Sequence, residues 1–98
     1  MTYTIRNFGA DIRDEVRELA ENGGGDFGDL TAQSGYRSLL ACLGDHDDDA
    51  TDADFIAALT DLAETLDDAG EWDGKISASK SAIRLASEIR HRLALEVA

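Results

Sequence analysis

Apolar side chains recur along this chain with the 3.6-residue period of helices, and the runs are punctuated by glycine, never by proline. The spacing predicts a first helix over about Ala10 to Glu21, with Ile12, Val16, Leu19 and Ala20 on one face. Arg13, Asp14, Arg17, Glu18 and Glu21 form its mixed outer face, and the Asn22 to Gly25 cluster stops it. A second, shorter helix spans roughly Leu30 to Leu43, presents Leu39, Leu40, Cys42 and Leu43 inward and closes at Gly44. The glycine-rich segment between the two reads as a linker.

The third helix has the clearest signature. Thr51 is a good N-cap with Asp54 three residues on, and Phe55, Ile56, Leu59, Leu62, Ala63 and Leu66 follow at helical spacing until Gly70. At about 100° per residue, Asp54, Asp61, Glu64 and Asp68 fall on the opposite side. A fourth helix runs from near Ser79 to Val97, with Ala82, Ile83, Ala86, Ile89, Leu93 and Val97 inward and Lys80, Arg84 and His91 outward. Two places suit short strands: Thr2 to Asn7, where Tyr3 and Ile5 alternate, and residues 71–76, where Asp73 and Gly74 form a hairpin dipeptide. The expected fold is mainly α, a compact four-helix domain with a small β element at the N-terminus or around residues 71–76. Trp72 beside that turn is either an exposed anchor for a partner or a cap on the core; the core role is the expectation, since large aromatics are usually highly buried.

Composition narrows the picture. A chain of 98 residues has the length of a single domain, and 43% hydrophobic residues with only 6% aromatics imply a core of Leu, Ile, Val and Ala. The single cysteine, Cys42, cannot form an internal disulfide, so a reducing cytoplasm is the expected compartment. Residues Met1 to Phe8 lack the apolar segment of an export signal, and no stretch approaches the roughly 18 apolar residues of a membrane span.

Charge changes the picture most. The net charge is −12, from 21 acidic and 9 basic residues. Residues 1–44 carry 7 acids and 4 bases, residues 45–74 carry 12 acids and no Lys or Arg, and residues 75–98 carry 2 acids and 5 bases. The excess is therefore confined to the middle block, and the C-terminal block is net positive. Such a surface repels DNA and anionic membranes and attracts a basic partner.

Several chemistries are excluded by their own motifs. Counting a calcium loop from Asp45 puts Ala50 where glycine is needed and Ile56 where the bidentate glutamate belongs. His46 and His91 have no spaced Cys, His or Glu partner for a metal or a general base. Gly23, Gly24, Gly25 and Gly28 stand beside Asp26 and Asp29 with no following Gly-Lys-Ser/Thr, so no phosphate loop is present. The Asp-Ser-Leu attachment site of acyl carrier proteins is also missing, because Ser34 lies in Ala32-Gln33-Ser34-Gly35-Tyr36. No catalytic set, cofactor or metal site is expected.

Twelve acids over 30 residues, at about 1.5 Å rise per residue, average about one charge per 3.7 Å, near the ~3.4 Å per phosphate of one DNA strand. In size and charge layout, carried by Asp45, Asp47, Asp48, Asp49, Asp52, Asp54, Asp61, Glu64, Asp67, Asp68, Glu71 and Asp73, the chain resembles the small acidic anti-CRISPR and anti-restriction inhibitors of phages and mobile elements. That resemblance implies a partner with a basic nucleic-acid-binding surface, such as a Cas effector or restriction enzyme, and no direct binding of nucleic acid. Two alternatives remain open: a salt-adapted domain, suggested by 14 Asp against 2 Lys, and a self-associating helical adaptor in which Lys80, Arg84 and His91 meet the acids of a second copy.

Overall fold

The computed structural model describes residues 3–44 and 50–97. Four α-helices, α1 (Ile5–Asn22), α2 (Ser34–Leu43), α3 (Asp52–Ala69) and α4 (Ile76–Val97), and a 3-10 helix (Gly25–Ala32) make up the fold. No strand occurs among the described residues. None of their helices is long and apolar enough to cross a membrane.

The N-terminal strand expectation is corrected by α1, which begins five residues before the predicted start. The Thr4 hydroxyl accepts the Asn7 N–H at 3.1 Å and caps the helix. Ile5 then falls seven residues before Ile12, on the face that continues through Val16 and Leu19. Between them Gly9 is buried, and a Cβ there would stand 3.1 Å from Leu39 and 3.2 Å from Phe55. The glycine that interrupts the apolar pattern is the one that lets α2 and α3 close on α1.

The segment after α1 is no linker. Phe27 and Leu30 of the 3-10 helix are both 0% exposed, three residues apart as that helix requires to place them on one side. Gly24 and Gly25 adopt φ of 72° and 53°, which β-carbon sterics make costly for other residues. The Asp26 N–H donates to the Asp73 carbonyl at 2.7 Å, and the Lys75 N–H donates to the Gly23 carbonyl at 2.9 Å. This approach is so close that a Cβ on Gly25 would lie 1.8 Å from the Asp73 carbonyl oxygen. The expected hairpin at residues 71–76 is therefore replaced by a turn whose hydrogen bonds go to the glycine segment. Gly74 leaves the room into which the Phe27 ring packs, and Trp72 meets that ring edge-on at 6.0 Å.

Because residues 30–33 belong to the 3-10 helix and its end, α2 begins at Ser34, four residues later than predicted. Gly35 puts its backbone against that of α3, where a Cβ would approach the Leu62 nitrogen to 2.6 Å. Leu39 and Cys42 are buried as expected, whereas Leu40 is 39% exposed, being rotated about 100° from Leu39. The Thr51 and Asp54 expectation holds in full. The Asp54 N–H donates to the Thr51 hydroxyl at 3.3 Å and the Thr51 N–H to the Asp54 carboxylate at 2.9 Å, forming a capping box.

Helix α4 packs on α3 through small residues, Ala78, Ala82 and Ala86 with Leu85 and Ile89, all buried. Ile83, expected inside, is 52% exposed at the α3–α4 seam beside Gly70. Leu85 takes the inward place because the buried arc of α4 is centred between Ala82, Leu85 and Ile89. Trp72 is half-buried against the core. The two ends of the described chain are tied by Arg92. Its guanidinium donates to the Tyr3 carbonyl at 2.7 Å and to Glu96 at 2.9 Å, and lies over the Tyr3 and Phe8 rings.

Three substitutions probe stability. Gly25→Ala should cost roughly 2–4 kcal/mol in urea unfolding, since strain at positive φ and a backbone clash combine. Gly28→Ala, which meets nothing within 4 Å at ordinary φ, should be neutral or stabilise by about 0.4–1 kcal/mol. Glu15 on α1 is pushed above the usual glutamate range by burial, and next by Glu88 of α4. A carboxyl raised in the fold binds its proton more tightly there than when unfolded, so ionised Glu15 costs stability as pH rises above its usual value of 4.5. Glu15→Gln should therefore raise the thermal midpoint at neutral pH, and the gain should vanish as pH falls below that value.

Candidate protein-binding surface

The twelve acids of the sequence expectation do not form one line. Asp45, Asp47, Asp48 and Asp49, together with His46, lie outside the described residues. Asp52 and Asp54 occupy the first turn of α3, where the positive end of the helix dipole favours carboxylates, and Asp54 is held by the cap. Asp61 is half-buried and accepts the Ser34 hydroxyl of α2 at 3.0 Å. Glu64 and Asp68 are exposed on the outer face of α3, and Glu71 and Asp73 are exposed in the turn that follows. Asp67 turns toward α4 and pairs with Arg90. Neighbours in sequence point apart because a helix rotates about 100° per residue, so Asp67 and Asp68 serve different surfaces.

This rotation corrects the averaged spacing. Asp54, Asp61 and Asp68 stand seven residues apart, about 10.5 Å along the axis, with Glu64 between the last two. Four carboxylates over about 21 Å amount to one per ~7 Å, roughly half the phosphate density of a single strand along the duplex. The described face therefore presents discrete carboxylates, spaced about twice as far apart as the phosphates of a strand.

The surface extends further than the sequence suggested. Asp26 and Asp29 of the 3-10 helix line a shallow pocket of about 190 Å³ with Gln33 and Trp72. Fixed by the glycine segment's hydrogen bonds to the α3–α4 turn, they continue the acidic surface past Glu71 and Asp73. No sequence signal placed them there, since both fall in the supposed linker. Their contact with Trp72 depends on the Asp26 to Asp73 hydrogen bond, which joins residues far apart in the chain.

Cations are distributed otherwise. Asp14 is within ion-pair distance of Arg13 and Arg17, Glu88 of Arg84, and Glu96 of Arg92. On α3 only Asp67 has an Arg or Lys partner among the described residues. Between α2 and α3, Ser38, Cys42, Asp54, Ala57, Ala58 and Asp61 line an open cleft, with Cys42 buried at its base. The described residues include no group of three or more His, Cys, Asp or Glu arranged to hold a metal ion.

Removing the cap should be read separately from removing the charge. Thr51→Ala should cost about 1 kcal/mol of stability, measured by thermal unfolding, while leaving the net charge unchanged. No protein-family model matches this chain, and no curated protein or solved structure matches it either.

Proposed function

We propose that this chain binds the basic nucleic-acid-binding surface of a partner protein and blocks it, its carboxylates standing where DNA phosphates would, as anti-CRISPR and anti-restriction inhibitors do. The observation that carries this reading is the set of seven acids that the fold distributes over three neighbouring elements: Asp61, Glu64 and Asp68 of α3, Glu71 and Asp73 of the turn, and Asp26 and Asp29 of the 3-10 helix, with Lys75 the cation in the same turn. No Lys or Arg forms an ion pair with any of these seven carboxylates among the described residues.

The energetics support a binding role over a folding one. Exposed anions near a helix C-terminus cost about 0.3–1 kcal/mol each, so Asp68 gains the fold nothing where it stands. Among the described acids of α3 there is no Lys or Arg four residues away to compensate. Facing a partner's Arg and Lys residues, the same carboxylates speed encounter and set orientation. Trp72, half-buried beside Asp26 and Asp29, supplies apolar area and an aromatic face against which an Arg side chain can stack.

The test is competition. Tagged protein incubated with lysates of candidate hosts at low salt should retain a nucleic-acid-binding complex that added DNA releases. The variant Asp61→Asn, Glu64→Gln, Asp68→Asn omits Asp54, which the cap requires, and so should fold as the parent does. Its affinity for the recovered complex should fall about tenfold at low salt, with the difference shrinking as salt rises. Equal affinity of variant and parent at low salt would remove this surface from the mechanism.

A further inference from the structure

The α3–α4 hairpin carries opposite charges side by side on its outer surface. On α4, the side turned away from Ala82, Leu85 and Ile89 holds Lys80, Ile83, Arg84, Ser87, Arg90 and His91, and its first residue, Ile76, is 76% exposed. On α3, the outer side holds Glu64 and Asp68, continued by Glu71 in the turn. The seam between these stripes is marked by the Asp67–Arg90 ion pair and by half-exposed Ile83 against Gly70. A basic stripe, in which Arg84 also reaches Glu88 of its own helix at 3.8 Å, a seam that holds Ile83 and one ion pair, and an acidic stripe thus form one face.

We infer that this face is self-complementary and joins two copies of the chain about a two-fold axis running along the hairpin. Such an axis exchanges left for right and preserves height, so α3 of one copy lies across α4 of the other. Each α3 residue then meets the partner copy's residue at the level of its own α4 neighbour. The Asp67–Arg90 and Gly70–Ile83 contacts fix those levels. They put Glu64 opposite Arg90 and His91, Asp68 opposite Ser87 with Arg84 one turn along, and Glu71 between the levels of Arg84 and Lys80, while the two Ile83 side chains meet near the axis. The other in-plane two-fold, across the helices, would set acid against acid and is disfavoured.

Size supports a weak dimer. Two helices side by side over the about 27 Å length of α3, at a spacing of about 9 Å, offer roughly 500 Å² per copy, about 1,000 Å² in total, the low end for a specific interface. Its polar contacts are rim-like and salt-sensitive. The dimer covers Glu64 and Asp68, so a basic partner and a second copy compete for the same carboxylates. The dimer itself rests on charge layout alone and stands whether or not the inhibitory reading does.

A charge swap tests it. Sedimentation at low ionic strength should show a concentration-dependent dimer that dissociates in molar salt. Lys80→Glu with Arg84→Glu should weaken dimerisation by roughly a hundredfold, because four contacts of the two-fold interface become repulsive. Glu64→Lys with Asp68→Lys should do the same. Mixed together, the two variants should form a heterodimer, since every stripe again faces its opposite. Circular dichroism of each variant, and the milder Lys80→Gln with Arg84→Gln, separate loss of pairing from loss of fold. A parent that stays monomeric at all concentrations would overturn the inference, as would a dimer that survives the swap or folded variants that fail to pair. The Lys80→Glu, Arg84→Glu variant keeps its acidic stripe, so retained competition with DNA by this monomer would uphold the inhibitory reading independently.

Discussion

The structure depends on one close approach of backbone to backbone, where Gly23 to Asp26 run against Asp73 to Lys75. Two hydrogen bonds join the strands of chain there, and the absence of side chains at Gly25 and Gly74 is what permits them. Phe27 and Leu30 are driven into the core beneath that contact, where burying each side chain contributes roughly 1.5–3 kcal/mol. The contact thereby links the end of α1 to the α3–α4 turn, elements separated by about fifty residues of chain. It also sets the direction in which the turn presents Glu71, Trp72 and Asp73. An acidic surface spanning α3, the turn and the 3-10 helix exists because the glycines hold those three elements in register.

Small residues serve the same end elsewhere. A chain with 6% aromatic residues fills little core volume per side chain, so its helices must lie close together. Gly9 admits Leu39 and Phe55, Gly35 meets the backbone of α3, and the packed helices α3 and α4 bury alanines on both sides, Ala63 and Ala69 of α3 and Ala82 and Ala86 of α4. Close packing of α3 and α4 leaves Ile83 no room inside and places it on the seam. It also brings Arg90 to Asp67, neutralising the one acid of α3 that faces the neighbouring helix. Of the remaining acids of α3, Asp54 is held in the cap and Asp61 by the Ser34 hydroxyl, while Asp52, Glu64 and Asp68 are exposed, where water screens their mutual repulsion.

How much of this was legible in the sequence varies with the kind of information each element carries. Helix α3 was readable to the residue because its determinants are local: Thr51 and Asp54 cap each other, and Phe55, Leu59, Leu62 and Leu66 repeat on one side. Helix α1 was readable only from its middle, since Gly9 hides the link between Ile5 and Ile12 and Tyr3 with Ile5 imitates a strand. The 3-10 helix was missed although Phe27 and Leu30 carry its three-residue period. Surrounding glycines and aspartates have the composition of a loop, and only tertiary burial distinguishes them from one. Among the candidate residues, the outward placement of Glu64 and Asp68 followed from helical phase. The Asp67–Arg90 pair and the contribution of Asp26 and Asp29 did not, because both arise from contacts between distant segments.

The division between core and surface bears on function directly. Among the described residues, no side chain on the acidic stripe of Glu64, Asp68 and Glu71 belongs to the buried core, and none of the buried side chains is charged. Folding therefore constrains the apolar positions and the glycines, and leaves the charge of the outer face free to be set by whatever it meets. A stripe that costs a little stability, opposes its helix dipole at one end and lies beside an equally exposed basic stripe is what the proposed association would use. With opposite charges adjacent on one face, the proposed association with a second copy and with a basic partner would draw on the same carboxylates. Because both proposed interactions would be screened by salt, their competition would be decided less by ionic strength than by the density of positive charge on the partner relative to Lys80, Arg84 and Arg90 of α4.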